Sequence, residues 1–122
     1  MENIPLEQLK YPIGQFITPE FYTENIISTA IKTIETFPQK LKVEVENLSQ
    51  SQLETQYRPD GWTIRQVIHH CADSHMNCFI RLKWTLTEET PTIKFYYENL
   101  WAEGIDNKTM SIEATLQFLE GL

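Results

Sequence analysis

The sequence predicts an all-α helical bundle in a single domain spanning residues 1–122. Three observations carry that expectation. Apolar residues recur at spacings of three and four through two long stretches, the helical stretches open on residues suited to a helix N-terminus, and no segment alternates apolar and polar residues as a half-buried strand would. Composition agrees: 41% of the residues are hydrophobic and 11% aromatic, enough apolar material for one core.

The chain begins with an irregular arm, Met1 to Thr18, in which Pro12 and Gly14 oppose regular structure; Tyr11, Ile13 and Phe16 are expected to pack it across the bundle surface. Thr18, Pro19 and Glu20 then combine a capping hydroxyl, a proline suited to the first helical position and an early negative charge, which predicts the start of helix one. Phe21, Ile26, Ile27, Ala30, Ile31 and Ile34 form its apolar face, and the pattern resumes after Pro38 at Leu41, Val43, Val45 and Leu48. Pro38 either kinks one long helix or separates two, because it lacks an amide donor and crowds the preceding turn. Ser49 to Glu54 reads as a short helical turn leading into the loop Gln56 to Gly61.

Thr63 caps the strongest element, a helix from Thr63 to roughly Thr87 whose Ile64, Val67, Ile68, Cys71, His75, Phe79, Leu82 and Leu86 form one apolar stripe. Pro91 ends that region. Thr92 to Met110 holds Phe95, Tyr96, Tyr97, Leu100 and Trp101 without clean periodicity and reads as an ordered connection. Ser111 caps a last helix of two or three turns, with Ile112, Leu116, Phe118 and Leu119 on its apolar face, which halts at Gly121 and Leu122.

Seventeen acidic and ten basic residues give a formal net charge of −7, which disfavours a nucleic-acid partner. No apolar run approaches the roughly 20 residues of a membrane span, and the N-terminus lacks the basic-then-apolar order of a secretory signal, so no membrane partner is expected and a cytoplasmic location is. Cys71 and Cys78 stand two turns apart on one helix, about 10 Å, too far for a disulfide, and read as reduced, buried thiols.

All three histidines lie on the Thr63–Thr87 helix, with Cys71, Asp73, Asn77 and Cys78 among them. At 100° per residue His75 falls near the middle of the apolar stripe, as a core histidine would, and His69 and His70 fall on opposite flanks, His69 as a solvated neighbour of Asp73. No i, i+4 histidine pair exists, so spacing alone predicts no metal site. Trp62, Trp84 and Trp101 read as core or hinge residues.

The run YRPDGWTIRQVIHHCADSHMNCFIRLKWTLTEETPTIK, with LKYPIGQF and LSQSQLETQ before it and FYYENLWAE after, resembles the DinB-like superfamily, and within it the YfiT-like metal-dependent hydrolases. The resemblance covers nearly all of the chain. It implies a DinB-like four-helix bundle that holds a divalent metal, zinc or nickel, through three histidines. One such histidine lies eight residues after the motif tryptophan, and the other two form an H-x-x-x-H pair on a late helix. Trp62 plus eight is His70, so the resemblance selects His70 as a metal ligand; His75 in DSHMN also matches the group's pattern, as a supporting or core residue. The activity implied is hydrolysis by a metal-activated water or, as in relatives that are bacillithiol-type S-transferases, transfer of a thiol. Asp73 and Glu103, read from the chain itself and not from the resemblance, are acidic residues that could serve as general base. No histidine follows Trp101, so the bundle is expected to be incomplete, about three helices. Three explanations stay open: a truncated piece of a longer protein, a short variant without activity, or a dimer that brings two copies of His70 together. The first is favoured. The uncovered apolar stripe leads to the expectation of a homo-oligomer, most simply a dimer.

Overall fold

A computed structural model describes residues 4–122. Among them the fold is all-α, as expected, with a single isolated antiparallel bridge between Gln56 and Thr63 in place of any strand. The order is α1 (Leu6–Lys10), α2 (Glu24–Val45), α3 (Gln50–Leu53), α4 (Ile64–Thr87), α5 (Glu98–Ala102), α6 (Ile105–Thr109) and α7 (Ile112–Gly121). None of these helices is long and apolar enough to cross a membrane.

Three of the four sequence-derived helix starts hold. The Thr63 hydroxyl accepts from the Gln66 amide at 3.2 Å while the Gln66 side chain accepts from the Thr63 amide at 2.9 Å, a reciprocal capping box. Ser49 and Gln52 repeat it at α3, and Ser111 caps α7 through the Glu113 amide. The long helix α2 differs. Its cap is Thr23, accepting from Ile26 N–H, so the helix opens five residues later than the Thr18 signal predicts. Two threonines offered equivalent hydroxyls, and the apolar periodicity is already present at Phe21, so local pattern did not choose between them. Pro38 lies inside α2, which runs through it unbroken to Val45.

Two further expectations are corrected. The arm is not wholly irregular, since α1 occupies Leu6–Lys10, and among the described residues it does not pack: Ile13 is 98% and Phe16 82% exposed, and the Tyr11 carbonyl accepts from Gly14, three residues on within the arm itself. Residues 1–3 of that arm lie outside the described residues. The Thr92–Met110 connection contains α5 and α6, each too short for an apolar period to register. They join at Gly104, where a Cβ would stand 3.0 Å from the Trp101 carbonyl, a close approach that favours a residue without one.

The core sits at one end. Val45, Leu53, Ile68 and Ile112 are buried together, flanked by Leu41, Leu48, Ile64 and Leu116. Buried Arg65 ties that end together: its Nε donates to Glu54 at 2.7 Å, Nη1 to the Met110 carbonyl at 3.0 Å and Nη2 to Gln50. Helix α7 lies against both α4 and α2, whereas no Cα of α2 comes within 8 Å of one on α4. Those two helices meet through side chains, as where Phe37 stacks on His75 with ring centroids 5.0 Å apart. Toward the other end Ile31, Ile34, Phe79, Leu82, Leu86 and Phe118 stay exposed.

Candidate metal centre

Helix α4 carries the three histidines into three different environments, and their order of burial departs from the wheel. His69 is 2% exposed rather than solvated. Its Nδ1 shares a hydrogen bond with the Thr115 hydroxyl at 2.7 Å and its Nε2 lies 3.2 Å from the Met110 carbonyl, to which it donates, so the imidazole is held as a bridge between α4 and α7. Burial pushes its pKa down, helped by the Arg65 charge and opposed by the bond to Met110. The reason for the misreading is the direction from which α7 arrives. It covers the Arg65, His69 and Ala72 side of α4 rather than the middle of the apolar stripe.

His75, the expected core histidine, is half-buried; its Nδ1 donates to the Cys71 carbonyl one turn back at 2.7 Å, and its ring stacks on Phe37. Cys71 is half-buried with its thiol pushed up by desolvation, and Cys78 is exposed rather than buried. Both thiols are free.

His70 sits against the residue before the α4 cap. Its ring lies against Trp62, centroids 4.8 Å apart and tilted by 57°, and alone of the three it makes no hydrogen bond to the described residues. Burial pushes its pKa below the ordinary 6.5, while the carboxylates of Asp73, nearly one turn along α4, and Glu98, from the start of α5, pull the other way. Burial prevails and favours the neutral ring, the form that binds a metal. Asn107 donates to Asp73 Oδ2 at 3.0 Å, which fixes that carboxylate beside the site. Glu103, the other candidate base, is turned to other work: it is ion-paired with Lys108, which holds its carboxyl below the usual range, and it accepts from Gln66.

The donor set decides how far this goes. Among the described residues no three His, Cys, Asp or Glu side chains converge to hold a metal ion. A catalytic zinc site takes about three protein ligands, and these residues supply one, His70.

A second feature of the same face was not legible in the sequence. Eleven residues beyond His70, about three helical turns, Arg81 returns to the same side of α4 and forms, with Trp84 and the segment Lys94–Trp101, a cavity of about 330 Å³. The spacing of His70, Asn77 and Arg81 was readable as one helical face. The wall opposite was not, because it comes from the aperiodic connection.

The comparisons fit this architecture. A "Putative metal-dependent hydrolase" of Bacillus cereus strain AH820 is 49% identical over 117 residues, covering 96% of this chain and 67% of its own length, and a protein of the same name from Bacillus anthracis strain A0248 matches to the same extent. The structure of YfiT from Bacillus subtilis, described as a probable metal-dependent hydrolase with an unusual four-helix bundle topology, superposes with a TM-score of 0.88 at 46% identity. The match covers 93% of this chain and 65% of YfiT, so the chain spans about two thirds of the length of these relatives. Residues 33–122 match the DinB superfamily, and with half-identical relatives and a shared fold this chain belongs to that family.

Proposed function

We propose that this chain supplies the His70 side of a divalent-metal centre that activates water for hydrolysis, in keeping with relatives named putative metal-dependent hydrolases. The observation that carries the reading is the state of His70: half-buried against Trp62, favoured in its neutral form by burial, and hydrogen-bonded to no described group, while His69 is bonded at both ring nitrogens and His75 at Nδ1. Imidazole suits zinc or nickel, and such an ion would lower the pKa of a bound water toward neutrality, or bind a thiolate if the substrate is a thiol. Asp73, anchored through one oxygen by Asn107, is the nearby carboxylate suited to accept a proton. The remaining ligands come from outside the described residues, from a second copy of the chain or from a further protein segment.

Elemental analysis after equilibration with zinc or nickel, run beside His70→Ala and with the mass in solution, tests this. Metal retained by the parent and lost in His70→Ala supports it, and about half an equivalent per chain in a dimer points to two copies sharing one ion. No retained metal overturns the reading for this chain.

A second reading rests on a different observation. The apolar side chains left open between α2, α4 and the end of α7 favour a non-catalytic helical module that self-associates, most simply as a homodimer. A mass of one chain across a concentration series removes it.

A further inference from the structure

We propose that the cavity between the C-terminal half of α4 and the segment Lys94–Trp101 is a binding subsite for an organic carboxylate with a flat, apolar body, its anionic group held by the Arg81 guanidinium. The sign of the lining is the first argument. The chain has seventeen acidic residues against ten basic ones, yet this cavity is lined by two of the basic residues and by no Asp or Glu. An anion that the protein's overall charge would repel meets the Arg81 guanidinium here, with Glu98 and Asp73 outside the lining though near enough to act on Tyr96.

The second argument is the guanidinium itself. Arg81 donates from Nη2 to the Lys94 carbonyl at 3.1 Å, its Nε is buried without any acceptor, and it takes part in none of the ion pairs among the described residues. A guanidinium carries five N–H donors in a planar fork that matches a carboxylate, and a protein rarely leaves such a group half-enclosed without its counter-ion. By contrast Arg65, one face round the same helix, has carboxylate, amide and carbonyl partners.

The third argument is shape. Tyr96 and Trp101 lie 5.0 Å apart at 60°, Phe95 and Tyr97 meet edge to face at 5.3 Å, and Trp84 completes the wall, so the body of the ligand meets ring faces and edges rather than water. Arg81 is itself 5.7 Å from the Tyr96 centroid, which orients its plane against that wall. A volume of about 330 Å³ suits one small organic acid. The inference stands apart from the proposed role of His70, which does not line this cavity and lies about 16 Å from Arg81 along α4.

Titration of the chain with 3-phenylpropionate and with its uncharged amide, followed by the fluorescence of Trp84 and Trp101, tests the subsite. The acid is expected to bind saturably and about tenfold more tightly than the amide. Arg81→Met should abolish that preference, Arg81→Lys should retain part of it, and His70→Ala should leave it intact. Equal binding of acid and amide to the parent chain overturns the proposal without recourse to any variant, as does a preference that survives Arg81→Met, or displacement of the acid by equimolar inorganic phosphate, which would mark an indiscriminate anion site. Retained metal with no acid preference removes the subsite alone; acid preference without metal removes the role of His70 alone.

Discussion

The two ends of the α2–α4 pair have nearly the same sequence pattern and opposite fates. At one end Leu41, Val45, Ile64 and Ile68 meet Leu53 and Ile112 and form the core; at the other Ile31, Ile34, Phe79, Leu82 and Leu86 repeat the same spacing and remain exposed. The difference is the third element. The start of α7 closes the first end with Ile112 and Leu116, and α3 adds Leu53, whereas the second end receives only the last turn of α7. Apolar periodicity reports which face of a helix seeks a partner; whether a partner arrives is decided elsewhere in the chain.

The largest effect expected from this contrast is at Ile68, which is 1% exposed in the closed end. Ile68→Ala should destabilise by about 2–5 kcal/mol through lost burial and the cavity left behind, measured by urea unfolding. A cost under 1 kcal/mol would mean that the closed end is no better packed than the open one. His69→Ala comes next. It removes the bridge between the Thr115 hydroxyl and the Met110 carbonyl and leaves the hydroxyl enclosed without its partner, while the carbonyl keeps Arg65, at a cost of about 1–3 kcal/mol. Thr115→Val beside it separates the two bonds: if the hydroxyl is the partner that matters, the double variant should cost little more than His69→Ala alone.

The same contrast explains what could be read from the sequence. Capping chemistry is local, so Thr63, Ser49 and Ser111 were legible as helix starts, and so was the Thr63–Thr87 helix. The start of α2 was not, because Thr18 and Thr23 are chemically equivalent and only the folded chain selects one. His69 was misjudged because a helical wheel centred on apolar residues assumes that burial follows hydrophobicity. The buried set Arg65, Gln66, His69 and Ala72 follows the approach of α5, α6 and α7 instead, with hydrogen bonds replacing apolar contact. His70 was inert by spacing and was selected only by family resemblance; its freedom from hydrogen bonds becomes visible in three dimensions alone. The wall of the Arg81 cavity was hidden for a related reason, since α5 and the residues before it are too short to carry a period.

The smallest effect, and the one that most sharpens the comparison, belongs to the open end. Leu82 is 55% and Leu86 73% exposed, so Leu82→Ser with Leu86→Ser removes little buried surface and should change the stability of an isolated chain by no more than about 0.5 kcal/mol. That near-neutrality holds only while nothing covers these residues. If a second copy does, burial in the interface makes the substitution costly, and the cost must grow with protein concentration because association is linked to folding by mass action. Unfolding midpoints of parent and double variant, each followed over a hundredfold range of concentration, separate the cases: parallel and flat curves mean an open face, whereas a parent midpoint that rises while the variant's stays level means that the second end has a core after all, built between chains.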